Sequence, residues 1–113
     1  MAQDFTKDYK SQVTTAAYTL RTANSNDALI GIRLTNITAS AVTVDVWIDV
    51  AAAGSTASVV YIADDLQVTP KSSVELIQFG AKIVIHNTDL LRIQSSAATS
   101  IAAWVSVVDA ISA

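Results

Sequence analysis

Apolar and polar residues alternate with a period of two through most of the 113-residue chain. The stretch AVTVDVWIDV (41–50) shows this most clearly: Val42, Val44, Val46, Ile48 and Val50 are aliphatic and β-branched, while Thr43, Asp45, Trp47 and Asp49 lie between them. Successive strand side chains point to opposite faces, so this is the pattern of a strand with one buried face. In ALIGIRLTNI (28–37), Ala28, Ile30, Ile32 and Leu34 are expected to face inward, with Gly31, Arg33 and Thr35 outward. Only TASA (38–41) separates these two stretches, which predicts a hairpin.

Further strands are predicted over SQVTTAAYTL (11–20, with Val13, Tyr18 and Leu20) and SVVYIA (58–63), with polar or small turns at 21–27 and 51–57. Pro70 cannot donate to a ladder, so 64–73 reads as an edge or a loop. VELIQF (74–79), Gly80 and AKIVIHN (81–87) suggest a second hairpin, and LLRIQSS (90–96) with SIAAWVSVVDA (100–110) a third. In the last strand Val105 and Val107 share one face, and Trp104, Ser106 and Val108 the other. No segment of useful length keeps a helical period. Seven or eight short strands about ten residues apart predict an all-β, antiparallel two-sheet sandwich, immunoglobulin-like or jelly-roll. Residues 1–10 read as a charged arm, flexible or draped on a neighbour, and 11–113 as one sandwich domain.

Composition adds a constraint. Charged residues make up 15% of the chain and apolar ones 51%, against a usual charged share of about 25%. A small domain cannot bury all of that apolar surface within one copy, so a subunit that covers surface against other subunits is expected, most simply a homo-oligomer. No apolar run is long enough for a membrane span, and MAQDFTKDYK lacks the apolar region of a secretory signal. A net charge of −3 with seven Lys and Arg disfavours nucleic acid, which requires clustered cations. The absence of cysteine removes disulfides, thiolate metal sites and cysteine nucleophiles.

Candidate chemistry is sparse. His86 is the only histidine, and one imidazole beside Asp89 makes a poor metal site. Asp64 and Asp65 are adjacent, so on a regular strand they point apart and do not converge. Asp45 and Asp49 share a face but stand about 13 Å apart along a strand, too far for paired acid–base work. No nucleophile-elbow, P-loop or dinucleotide-binding pattern occurs. Asn36-Ile37-Thr38 matches a glycosylation sequon and is read as chance. The expectation is therefore no catalytic residue, no cofactor and no metal.

Trp47, set between two aspartates on the face expected to be wet, has three explanations: packing under its own chain, a subunit interface, or a small ligand such as a sugar. Trp104 poses the same question. Phe5 and Tyr9, two aromatics in a polar segment, read as anchors for a partner. Phe5, Tyr9, Trp47 and Trp104 are thus the candidate interface residues.

In order along the chain, three segments resemble small all-β virion proteins of tailed bacteriophages, especially phages of marine bacteria. An opening T-x-x-x-Y-T strand is followed by G-I-x-L-x-N-x-T-x-x-x-V-T-V-D-V, matched by Gly31, Ile32, Leu34, Asn36, Thr38, Val42, Thr43, Val44, Asp45 and Val46. A V/I-P-x-x-S-S-V/L-E-L segment is approximated by Val68, Pro70, Ser72, Ser73, Val74, Glu75 and Leu76. A closing D-x-L-R/K-I/V-x-S-S-A-A matches Asp89, Leu91, Arg92, Ile93, Ser95, Ser96, Ala97 and Ala98. The chain departs at Thr69, where the family often has an apolar residue, and at His86-Asn87-Thr88, where an acidic-Gly turn is common. The resemblance implies a virion protein, assembled in the host bacterial cytoplasm, that docks on the major capsid protein or on neck or tail proteins. It implies capsid decoration or a neck or tail component, and no catalytic residues. The competing reading is a carbohydrate-binding sandwich on a fibre that uses Trp47 or Trp104.

Overall fold

A computed structural model describes residues 4–50, 58–78 and 81–109. Among them are nine strands: β1 (Asp4–Val13), β2 (Tyr18–Thr22), β3 (Asp27–Asn36), β4 (Val42–Val50), β5 (Ser58–Val68), β6 (Ser73–Glu75), β7 (Ile83–Ile85), β8 (Leu90–Ser95) and β9 (Ile101–Asp109). They form two antiparallel sheets, one ordered β1-β9-β3-β6 with β7 also on β3, the other β2-β8-β4-β5. The short β6 and β7 both pair with β3 and act as one interrupted strand. The first strand then pairs with the last, the second with the next to last, and so on inward to β4 with β5. This is one long hairpin rolled over itself, a jelly roll. The expected two-sheet sandwich is present, and its topology is the second of the two alternatives.

The three expected hairpins are not. β3 lies in one sheet and β4 in the other, β8 and β9 are likewise divided, and β6 and β7 do not pair with each other. Alternation shows which face of a strand is buried, but it does not say whether the next strand continues that sheet or crosses to the facing one. Side chains turn the corners. Asn36 is fully buried; its amide donates to the carbonyls of Ser40 (2.7 Å) and Val68 (2.9 Å), and its oxygen accepts from the Thr38 backbone (2.9 Å) and hydroxyl (2.7 Å). All of its bonding capacity is used in bending the chain from one sheet to the other. The sequon-like Asn36-Ile37-Thr38 is therefore a corner. At the β8–β9 corner the buried Ser95 and Ser100 hydroxyls lie 2.7 Å apart.

Val42, Val44, Val46 and Ile48 face the core as expected, with Leu29, Ile32 and Leu34 from β3 and Ile101, Val105 and Val107 from β9. The expected phase fails in β3. A bulge between Leu29 and Gly31 inserts one residue against β9, so Leu29 enters the core and Ile30, expected inside, does not. A bulge reverses which positions face in, because the side-chain period is two. On the other side of β3, where β6 ends, the Ile32 N–H donates to the Glu75 carboxylate at 2.7 Å while the Ile32 carbonyl accepts from Leu76.

Residues 1–10, expected as an arm, are from Asp4 onward the edge strand β1, hydrogen-bonded to β9. A polar segment can join a sheet because the ladder uses backbone groups, and this one has a further tether in Asp8. Within 64–73, expected as an edge or a loop, the edge strand β5 continues to Val68 before Pro70 enters a turn. The turn expected at 51–57, and the parts of expected elements at 79–80 and Ala110, lie outside the described residues.

Arg21 joins the sheets. A bulge in β2 lets consecutive residues Leu20 and Arg21 both face the opposite sheet. There the guanidinium meets Asp8 of β1 (2.8 Å), Asp27 of β3 (2.9 Å) and Asp109 of β9 (3.5 Å). The Ser25 hydroxyl lies 2.7 Å from Asp27 and 2.9 Å from Asp109. Burial opposes the Arg21 charge, but hydrogen bonds and attraction from Asp8 and Asp27 outweigh it and hold the pKa above the ordinary arginine value. Asp27 is fully buried, and removing one partner of a buried ion pair costs about 3–5 kcal/mol. Arg21→Met is therefore expected to lower the melting temperature by at least about 10 °C, measured by circular dichroism. A shift of only a degree or two would show that the cluster is not a strong tie.

Candidate functional site

Three of the four candidate aromatics meet on the solvent face of the β1-β9-β3-β6 sheet. In β1 the odd residues Phe5, Lys7 and Tyr9 point outward, while Asp8 points in toward Arg21. A bulge after Lys10 then brings Val13 into the core. Register builds rows across this face. Phe5 lies opposite Val108, Val108 opposite Ala28, and Ala28 opposite Val84. A second row runs Tyr9, Trp104, Arg33, Glu75. The rings of Tyr9 and Trp104 stack at 5.6 Å, only 16° from parallel.

These side chains are open to solvent: Phe5 is 82% exposed, Tyr9 57%, Val84 52% and Trp104 47%. Trp104 stands between two shallow grooves. One, of ≈ 450 Å³, is bordered by Phe5, Lys7, Ile30 and Ser106; the outward Ile30 that the β3 bulge created forms part of its wall. The other, of ≈ 250 Å³, lies among Tyr9, Lys10, Ser11, Arg33, Thr35 and Ala102. Of its two cations, Arg33 is on this face, whereas Lys10 lies opposite the core-facing Ala103 and reaches toward the facing sheet. The Lys10 ammonium sits 4.6 Å from the Tyr18 ring centre, and Arg33 reaches the Ser73 hydroxyl at 3.3 Å and Glu75 at 3.9 Å.

Trp47 is elsewhere. It lies on the other sheet's outer face, yet it is only 8% exposed. Tyr61 of the neighbouring strand leans on it at 5.8 Å, and the Arg92 guanidinium lies 5.9 Å from its ring centre while reaching Asp49 at 3.6 Å. Of the three explanations for this tryptophan, the structure supports packing within its own chain: Asp49 positions the arginine that covers it.

The remaining polar candidates have structural surroundings. His86 is exposed just beyond β7, and its backbone N–H donates to the Asp89 carboxylate at 2.9 Å. Asp64 and Asp65, expected to point apart, instead converge with Asp45, the carboxylate oxygens lying within 4.8 Å of one another. A bulge opposite Val44–Val46 causes this: Asp65 takes a left-handed conformation with φ 51°, and its N–H donates to Asp45 at 2.6 Å. Adjacent Asp residues, a type that tolerates this conformation, were the available sign of an irregular strand.

The two tryptophans should therefore respond differently to truncation. Trp47→Ala removes a covered indole and is expected to cost about 3 kcal/mol, read by urea unfolding. Trp104→Ala should cost less than about 1 kcal/mol, because half of that ring is already in water. Equal losses would contradict this division between a structural and an available tryptophan.

The sequence matches no family model and no curated protein. Among the solved structures that it resembles in fold are chains of infectious bursal disease virus. A chain of the infectious bursal disease virus particle matches with a TM-score of 0.56 at 15% identity, over 96% of this chain and 31% of that one. The VP2 subviral particle of the same virus gives 0.53 at 18% identity, over 96% and 33%, and its Gx strain 0.55 at 14%, over 96% and 32%. The chain thus spans about a third of the length of these neighbours, and at these identities what is shared is the fold.

Proposed function

We propose that this protein is a structural component of a bacteriophage virion, a capsid decoration protein that docks on other virion proteins through the face bearing Phe5, Tyr9 and Trp104. The observation that carries this reading is the jelly-roll closure, aligned over 96% of the chain with subunits of a viral particle. The ordered motifs that resemble small phage virion proteins support the phage assignment. The partner is the major capsid protein or a neck or tail protein, and the protein works in the virion after assembly in the bacterial cytoplasm. The reading assigns no enzymatic activity.

Physical chemistry supports docking at this face. Exposed aromatics bury much apolar area with few rotatable bonds, and the pairing with β9 already orders them, so binding loses little conformational entropy. A second reading, carbohydrate binding, draws on the stacked Tyr9–Trp104 pair and on the use of jelly rolls in lectins.

Incorporation into purified particles tests the proposal. Phe5→Ala, Tyr9→Ala and Trp104→Ala should leave the melting temperature nearly unchanged, and Trp104→Ala should weaken docking about thirtyfold, the equivalent of about 2 kcal/mol. Wild-type protein missing from virions would sink the assignment. Incorporation unchanged in all three variants, together with Trp104-dependent binding to a glycan array, would favour the carbohydrate reading.

A further inference from the structure

The open strand edges of the two sheets differ in how they are protected. β1 closes one sheet with Asp4, Lys7, Asp8 and Lys10 along it, and β2, β6 and β7 are five residues long or fewer. Charge and shortness are the means by which natural edges avoid pairing with another strand. β5 is the exception. It is 11 residues long, and Asp64, Asp65 and two bulges interrupt its far half, whereas Ser58, Val59, Val60 and Tyr61 form a regular stretch with no charge, proline or bulge.

That stretch is apolar on both of its faces. Val59 and Tyr61 lie opposite Asp49 and Trp47 on the outer face, while Val60 lies opposite the core residue Ile48 and so points to the inner side. Val59 is nonetheless 55% exposed, Val60 52% and Tyr61 52%. Exposure of an inward-pointing valine shows that the facing sheet leaves this end of β5 open. A flat surface would cover only one side of such an edge. A strand laid alongside covers both sides and takes up the free N–H and C=O groups. Among the described residues, the backbone of Ser58–Ala63 makes no hydrogen bond beyond its ladder with β4.

We infer that β5 pairs antiparallel with the β5 of a second copy, about a two-fold axis at Val60. The edge supplies its own complement. In this register Val60 meets the partner's Val60, while Val59 and Tyr61 meet the partner's Tyr61 and Val59, cross-strand pairs of the favourable β-branched and aromatic kind. Charge sets where the pairing is centred. Asp64 lies four residues from the axis, so the Asp64 carboxylates of the two copies stand about 26 Å apart along the strands. That is well beyond the screening distance of about 8 Å at physiological salt. A register centred on Asp64 or Asp65 would instead set like charges against each other. The pairing joins two four-stranded sheets into one, and because the contact is isologous it closes at a dimer. The inference goes beyond the proposed function, since the face bearing Phe5, Tyr9 and Trp104 belongs to the other sheet and stays free in both copies.

A chain without cysteine allows a direct test. Val60→Cys should give a disulfide-linked dimer on mild oxidation. Gln67→Cys, exposed on the same strand but about 46 Å from its symmetry mate in this register, should not. In sedimentation velocity the wild type at about 100 μM, well above a micromolar dissociation constant, should be a dimer and nothing larger. It should remain one in about 1 M salt, because apolar and backbone contacts are not screened. Val60→Lys sets two like charges against each other on the axis and should be monomeric at the same concentration, with cooperative melting to confirm folding. The cysteine pair decides the matter should Val60→Lys not fold. A monomeric wild type, a dimeric Val60→Lys variant, assemblies larger than a dimer, or cross-linking of Gln67→Cys as fast as Val60→Cys would each overturn the inference. A monomeric wild type that still enters virions through Trp104 would sink the inference and leave the proposed function standing. A β5 dimer of a protein missing from virions would be the reverse result.

Discussion

Arg21 is the point through which the two sheets hold each other. One guanidinium on β2 takes carboxylates from three strands of the facing sheet, including the edge strand β1. As a source of net stability such a cluster is unremarkable, since an apolar replacement of equal volume is often as good. Its consequence is positional. β1 is polar and contributes little to the core before Val13, so apart from its ladder with β9 the Asp8–Arg21 bond is its firmest side-chain tie. That bond lies on the inner side of β1, and with the strand's phase so fixed, Phe5, Lys7 and Tyr9 face outward. The aromatic face thus depends on an ion pair on the other side of the same strand.

The faces of the strands were legible in the sequence; the partners of the strands were not. Val42, Val44, Val46 and Ile48 could be assigned to the core because alternation follows directly from strand geometry. Pairing depends on what happens at the corners, and a four-residue connection such as TASA suits a hairpin or a crossing between sheets equally well. The deciding residue, Asn36, was visible, but its pattern matched a familiar surface signal. Its burial, with all of its hydrogen bonds made, follows from the packing of the facing sheet, which no local pattern records.

The bulges show a second limit. The open edge strands β1 and β2 each carry one and β5 carries two, and β3 carries another against β9. Each shifts the register by a residue, after which the strict alternation assigns residues to the wrong face. Ile30 was misplaced for this reason; the charged opening was read as an arm because its mixture of polar and aromatic residues disguised a strand. Two polar residues satisfy backbone groups at such irregular places: Asp45, which caps a β5 bulge, and Glu75, which takes the Ile32 N–H where β6 ends. Both were readable only as solvated charges, since a strand-bound carboxylate and a bulge cap look alike until the partner strand is in place.

Of the candidate site, Phe5, Tyr9 and Trp104 gathered on one face, and Trp47 did not. The difference lies in their neighbours across the ladder. Trp47 is flanked by Tyr61 and Arg92, both large enough to cover an indole, whereas Trp104 has Tyr9 on one side and Arg33 on the other, and Arg33 turns to Ser73 and Glu75 instead. The unusual composition takes on a sharper meaning here. Of seven cations and ten carboxylates, Arg21, Arg33, Arg92, Asp8, Asp27, Asp49, Glu75 and Asp109 are engaged in ion pairs within the chain, and Asp45 holds a backbone N–H. Charge committed in this way does less to keep the exterior solvated. The low charged fraction therefore understates how apolar the outer surface is, and that surface is concentrated where β1 meets β9 and along β5, on opposite sheets. Two separated apolar areas on opposite sheets, the one along β5 bordered by carboxylates, give a chain the means to contact neighbours on two sides.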